Sequence, residues 1–205
     1  MKSIFLSATI ATTVGLTAFS AHQAAAAVGD NTTFAMQVSP GAASCLPNAQ
    51  GRVTVSNVGP VENLHVEVTG LRKSTDFDFF VIQVPNKPFG LSWYQGDIET
   101  DASGNGVGDF VGRFSAETFI VAPGAAPVPR IKHSQDAPFG TKNPAIPAPI
   151  HTYHLGLWFN SPNDAANVGC AADITPFNGI HKAGIQVLNT AGFPDDKGPL
   201  RNFQP

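Results

Sequence analysis

Charge is scarce in this chain of 205 residues: Asp, Glu, Lys and Arg together make up 13%, and they are not gathered into long runs. The nearest basic groupings, Arg72-Lys73 and Arg130 with Lys132, read as solvated turns. Nucleic acid or an anionic membrane surface would call for clustered Lys and Arg, so neither is an expected partner. Cysteine is scarcer still, with only Cys45 and Cys170, too few for a Cys-rich zinc framework. Catalytic signatures are also missing: there is no G-x-S-x-G elbow and no H-E-x-x-H pair. The acid pairs Glu99 with Asp101 and Asp195 with Asp196 fall on polar turns, where carboxylates are normally solvated. With no complete catalytic motif, the reading leans to a non-enzymatic protein without a cofactor.

Long apolar runs are confined to the start. Met1-Lys2 precedes a Thr-containing apolar stretch from Ile4 to Phe19, followed by Ala24-Ala25-Ala26-Ala27. One positive charge, a moderately apolar segment and small terminal residues are the three parts of a secretory signal peptide, with cleavage expected after Ala27. The stretch is too weakly apolar to read as a membrane anchor, so the expectation is a secreted domain over residues 28–205. The formal charge of −3 becomes one unit more negative once Lys2 is removed. In an oxidising compartment Cys45 and Cys170 are expected to bridge, closing a loop of 125 positions.

What the chain has is Gly, Pro, Phe and β-branched residues, a composition that favours strands joined by turns. Period-2 alternation marks strands at Phe34, Met36 and Val38, at Val53 and Val55, and at Leu64, Val66 and Val68. The more continuously apolar segment 77–84 predicts a central strand, and another begins at Gly90. The run 101–106 (Asp-Ala-Ser-Gly-Asn-Gly) predicts a tight hairpin with strands at about 95–101 and 107–115. Seven prolines fall in 122–149, which excludes a central strand or helix there and predicts a long strap. Strands at 150–159 and 183–189 complete the set. Ser161-Pro162-Asn163-Asp164 followed by Gly169 predicts one short helix just before Cys170.

The segment 68–81 resembles the strand-to-strand crossover of fibronectin type III and related immunoglobulin-like domains, in which a Leu (here Leu71) precedes an aromatic residue (here Phe77) by six positions. The family usually has Tyr at the second position. The chain is also similar to secreted bacterial β-sandwich proteins, without an assigned activity, that carry the same Asp-x-x-Gly-Asn-Gly hairpin. The resemblance implies an all-β antiparallel immunoglobulin-like β-sandwich and brings no activity with it.

Three sets of residues carry chemistry. Asp101, Ser103 and Asn105 alternate as oxygen donors do in a calcium loop, with Asp97 or Asp109 as further contributors. The plain reading is a hairpin turn, since Gly112 stands where such a loop needs a bidentate Glu. His133, His151, His154 and His181 could assemble a metal site, as a carrier or a metal-dependent enzyme, if strands 150–159 and 183–189 brought them to one end. Antiparallel pairing would separate His151 from His181, so no three of these imidazoles are expected to converge. Trp93, Tyr94 and Trp158 could stack on sugar rings if exposed, although aromatics in sandwich strands are more often core. The resulting expectation is an extracellular binding or structural module whose partner is a protein or a glycan, with metal binding as the alternative.

Overall fold

The computed structural model describes residues 31–115, 118, 150–176 and 182–203. The expected signal peptide and the Pro-rich strap lie outside them. The described chain is antiparallel β with one short helix. Its strands are β1 Asn31–Val38, β2 Gln50–Val58, β3 Val61–Thr69, β4 Asp76–Ile82, β5 Ser92–Glu99, β6 Gly106–Gly112, β7 His154–Phe159, β8 Thr175–Pro176, β9 Lys182–Ala183 and β10 Gln186–Asn189. Helix α1 spans Pro162–Ala166. A 3-10 turn that no local pattern predicts follows at Pro199–Asn202.

Eight strands form one sheet in the order β5-β4-β7-β10-β1-β2-β3-β6. β1 joins its halves: residues 31–36 pair with β2, and Gln37 and Val38 pair with Asn189 and Leu188 of β10. A sandwich of the expected kind has two separate sheets, whereas the observed arrangement is a single sheet folded over its own core, close to a barrel. Its edges, β5 and β6, are joined by the 101–105 turn and approach each other there, where Thr100 bridges Gly106.

Alternation places Phe34, Met36, Val53, Val55, Leu64, Val66 and Val68 inside, as the period-2 pattern requires. β4 and β7 are buried on both faces. Their inner residues Phe77, Phe79, Leu155, Leu157 and Phe159 join the main core, with the Phe77 and Phe159 rings 5.0 Å apart. Their outer residues Phe80, Ile82 and Trp158 form a second cluster with Ala183 and Phe89. β7 begins at His154, later than predicted, because the preceding backbone serves the 3-10 turn: Leu200 N–H donates to Tyr153 O at 3.2 Å. The predicted strand at 183–189 is broken between β9 and β10 at Gly184 and Ile185, whose backbone groups bond to Phe159.

The Ser161 hydroxyl caps α1, accepting from Asp164 N–H at 3.2 Å, and Gly169 takes the left-handed conformation immediately before Cys170. Asp164 also receives Arg72 Nη1, which ties the helix to the β3–β4 crossover. Cys170 is bonded to Cys45 in the loop after β1. A cross-link spanning 125 positions removes much of the freedom of the unfolded chain. Replacing both cysteines by Ser is therefore expected to lower unfolding stability by about 2–4 kcal/mol, read as a lower denaturant midpoint at unchanged native far-ultraviolet circular dichroism.

Candidate functional site

β5 and β6 diverge from their common turn. Asp101 organises that turn, accepting backbone N–H bonds from Ser103 at 2.7 Å and Asn105 at 2.9 Å, and these bonds hold its carboxyl below the usual carboxylate range. Gly104 adopts φ +83° with its Cα against the Leu71 carbonyl, where a Cβ would collide. Next along the seam the Phe110 ring turns inward and stacks on Phe79 with centroids 5.2 Å apart. The ring fits because Gly96 has no side chain: a Cβ there would lie 2.9 Å from it. Past Phe110 the edges part around a cleft of about 330 Å³ lined by Val81, Trp93, Gln95, Val111, Arg113 and Thr152.

Trp93 pairs with Val81 and so belongs to the inward register, yet no further strand among the described residues covers it on this edge and it is 58% exposed. Val111, on β6, is 69% exposed. Arg113 is the one charged residue lining the cleft among the described residues. Its Nη1 donates to Pro60 O at 2.8 Å, and its Nε lies 3.3 Å from Glu62 Oε1, within ion-pair range but outside hydrogen-bond geometry. Glu62 is fully buried, and its other oxygen accepts the Phe114 N–H at 2.5 Å. A second depression of about 630 Å³, flatter, runs over the backbones of β1 and β2 between Thr33, Arg52 and Glu67, and its described lining includes no exposed aromatic ring.

The three candidate platform aromatics do not act together. Tyr94 faces the opposite side of β5 from Trp93, donating its hydroxyl to Asp97 Oδ1 at 2.5 Å. Burial and that carboxylate push its pKa up. Trp158, a candidate platform by sequence, is instead 3% exposed, because residues 83–91 fold over it and bring the Phe89 ring to 5.0 Å. Phe80 lies 5.4 Å away on the adjacent strand. Trp158 packs; Trp93 presents a face.

Of the late histidines, His133 and His181 lie outside the described residues. β10 pairs antiparallel with β7, and Gln186 stands beside Trp158, so the segment entering β10 arrives at the far end of β7 from His151. His154 is fully buried and has both ring nitrogens engaged. Thr190 Oγ1 accepts the Leu155 N–H and lies 2.9 Å from His154 Nδ1, which accepts the hydroxyl proton because Nε2 faces only carbonyl oxygens. Nε2 then carries the ring proton and donates to the carbonyls of Pro194 and Asp195, at 3.2 and 3.3 Å. His151 Nδ1 is 2.9 Å from Thr118 O, and its ring stacks on Tyr153. Among the described residues no three His, Cys, Asp or Glu side chains are placed to hold a metal. The other acids named with Asp101 for calcium have partners of their own. Asp97 takes the Tyr94 hydroxyl, and Asp109 is held by His65 and Asn63, which lower its pKa.

Sequence reasoning missed Arg113, Gln95, Thr152 and Glu62. A signal existed for Glu62: carrying the Leu64, Val66, Val68 period back by two puts a carboxylate on the core face. Gln95 and Arg113 flank edges whose divergence depends on long-range pairing, which no local pattern encodes.

Burial lowers the pKa of His154 below its ordinary 6.5, so the folded state favours the neutral ring. Stability from this group is complete above about pH 6.5 and is lost as pH falls through that value toward the folded pKa. The thermal midpoint of the wild type should therefore drop more steeply below pH 6.5 than that of His154→Gln, and parallel profiles would show that the ring is not held neutral. Comparison of the chain with protein-family models and with curated proteins finds no match.

Proposed function

We propose that this protein is a non-enzymatic binding module acting outside the cytoplasm, and that its ligand is a glycan held in the β5–β6 cleft with a sugar ring on Trp93. The observation that carries the reading is a Trp 58% exposed on an uncovered edge strand, beside a cavity with a few polar groups, Gln95, Arg113 and Thr152. Ligand sites combine an apolar lining with a few convergent polar groups, and the cavity lies at the lower end of the roughly 300–1,000 Å³ usual for them. Tyr and Trp suit such contacts because one side chain offers a broad apolar face at little conformational cost.

An extracytoplasmic setting is supported by the Cys45–Cys170 bond and by the three-part N-terminal segment. The immunoglobulin-like reading draws support from the β3–β4 crossover, where Leu71 and Phe77 are both buried.

The chain has two tryptophans, one on each side of this proposal, so fluorescence tests it directly. Trp93 should be quenched by acrylamide and protected by a bound oligosaccharide, while Trp158 should be silent to both. On an array of soluble glycans, Trp93→Ala should weaken binding by about tenfold or more, equivalent to ~1.4 kcal/mol, with the thermal midpoint unchanged. Equal binding by the variant would overturn the reading.

A further inference from the structure

Two neutral side chains narrow the class of glycan that the cleft would hold, and the narrower class rests on the glycan reading of that cleft. Arg113 is engaged within the protein: Nη1 donates to Pro60 O, Nε lies 3.3 Å from Glu62 Oε1, and the side chain has a further interaction beyond these. The Thr118 hydroxyl, also in the lining, donates to Arg113 O at 3.0 Å. Gln95 and Thr152 are different. Among the described residues neither the Gln95 amide nor the Thr152 hydroxyl has a hydrogen-bond partner, and both line the cleft. Gln95 is half-buried and Thr152 is only 8% exposed. Buried polar side chains are nearly always hydrogen-bonded, so a hydroxyl in this setting is matched to a polar group that enters the cleft.

A β-bulge brings Gln95 there. Phe79 pairs with Gly96 and Phe80 with Tyr94, so Gln95 is the extra residue of β5, without a counterpart on β4. Bulges re-aim side chains and recur at sheet edges and beside functional sites, and this one leaves Gln95 lining the cleft with Trp93. The same lining includes Val81, Phe114 and Leu200, all buried. A hydroxyl and a primary amide each offer a donor and an acceptor. A secondary amide ending in a methyl group complements that set, because its N–H and C=O use the two polar groups while its methyl covers the apolar wall. A sugar hydroxyl meets the polar groups but leaves that wall in water, which forgoes the gain from burying apolar surface. We propose that the cleft takes a 2-acetamido hexose unit of a glycan, with its ring face on Trp93, its acetamido C=O accepting from the Thr152 hydroxyl and its N–H donating to Gln95 Oε1.

The test uses the purified protein with chitotetraose and cellotetraose, which share length and linkage and differ only in carrying an acetamido or a hydroxyl group at C2. Calorimetric titration should give binding of chitotetraose at least about tenfold tighter than that of cellotetraose. Because the contacts are not ionic, that affinity should stay within about twofold as salt rises from about 50 to about 500 mM. Thr152→Val removes the hydroxyl at nearly constant shape, and Gln95→Leu removes the amide; each should lower the chitotetraose-to-cellotetraose ratio several-fold. A merely structural role for either residue would shift the thermal midpoint and leave the ratio alone. If Thr152→Val does not fold, the Gln95→Leu ratio decides. His65→Gln, away from the cleft lining, should keep the wild-type ratio. A soluble peptidoglycan tetrasaccharide, in which alternate acetamido rings also carry a lactyl ether, separates two sources of this chemistry: binding at least as tight as that of chitotetraose assigns cell-wall glycan, and weaker binding assigns chitin-like chains. Equal binding of the two tetraoses, each lost in Trp93→Ala, would sink the acetamido inference and leave the glycan reading standing. So would failure of both tetraoses beside binding of another glycan on the array. Failure of every glycan to bind would remove both.

Discussion

The turn at Asp101 is the constraint on which the cleft depends. Two backbone N–H groups converge on one carboxylate oxygen, and Gly104 lets the chain pass beneath the Leu71 carbonyl. Leu71 N–H in turn donates to Gly104 O, which fastens the β3–β4 crossover to the same turn. Among the described residues, the two outer edges of an otherwise continuous sheet are thereby held together at one end. Had they met along their whole length the barrel would have closed over Trp93. Of the three residues that resemble a calcium loop, Asp101 fastens the seam with its carboxylate, and Ser103 and Asn105 contribute their backbone N–H groups.

A second consequence of one folded sheet is that its central strands must be covered twice. β4 and β7 have the main core beneath them and the Phe80, Ile82, Trp158 and Phe89 cluster above. The outer layer is tied down by polar groups: Gln186 Nε2 and Asn189 Nδ2 both donate to Pro85 O, and Asn189 Nδ2 also reaches Gln186 Oε1. Farther along the same face, β4 and β5 oppose Asp76 to Glu99 and Asp78 to Asp97. Partial burial and the neighbouring Asp97 and Glu99 push the pKa of Asp76 up. Like charges facing each other across strands are unfavourable, so the aromatic packing and the Arg72–Asp164 tie must offset them at this end.

Most strands were legible because period-2 alternation is a local property: Leu64, Val66 and Val68 are buried wherever β3 sits in the sheet. The helix was legible for the same reason, since Ser161, Pro162 and Gly169 act within one turn of their own backbone. The disulfide followed from counting cysteines. Strand order was not legible, because β1 divides its pairing between β2 and β10 at Met36 and Gln37, and nothing at those two residues announces the change of partner. Nor was the burial of Trp158, which depends on residues 83–91 folding over it from another part of the chain.

The sites where local rules fail also coincide. Trp93 holds an inward register position and is exposed; Glu62 holds a core position and is charged; Gly96 interrupts a strand so that Phe110 can turn in. Each alone would count against the strand that contains it. Natural sequences depart from such rules where function requires it, and Trp93 and Arg113 line one opening, with Glu62 3.3 Å behind Arg113 and the Phe110 ring packed inward on Phe79. A sheet built only for stability would place Val or Ile at 62 and a polar residue at 93, and would lose the exposed Trp face that borders this cleft.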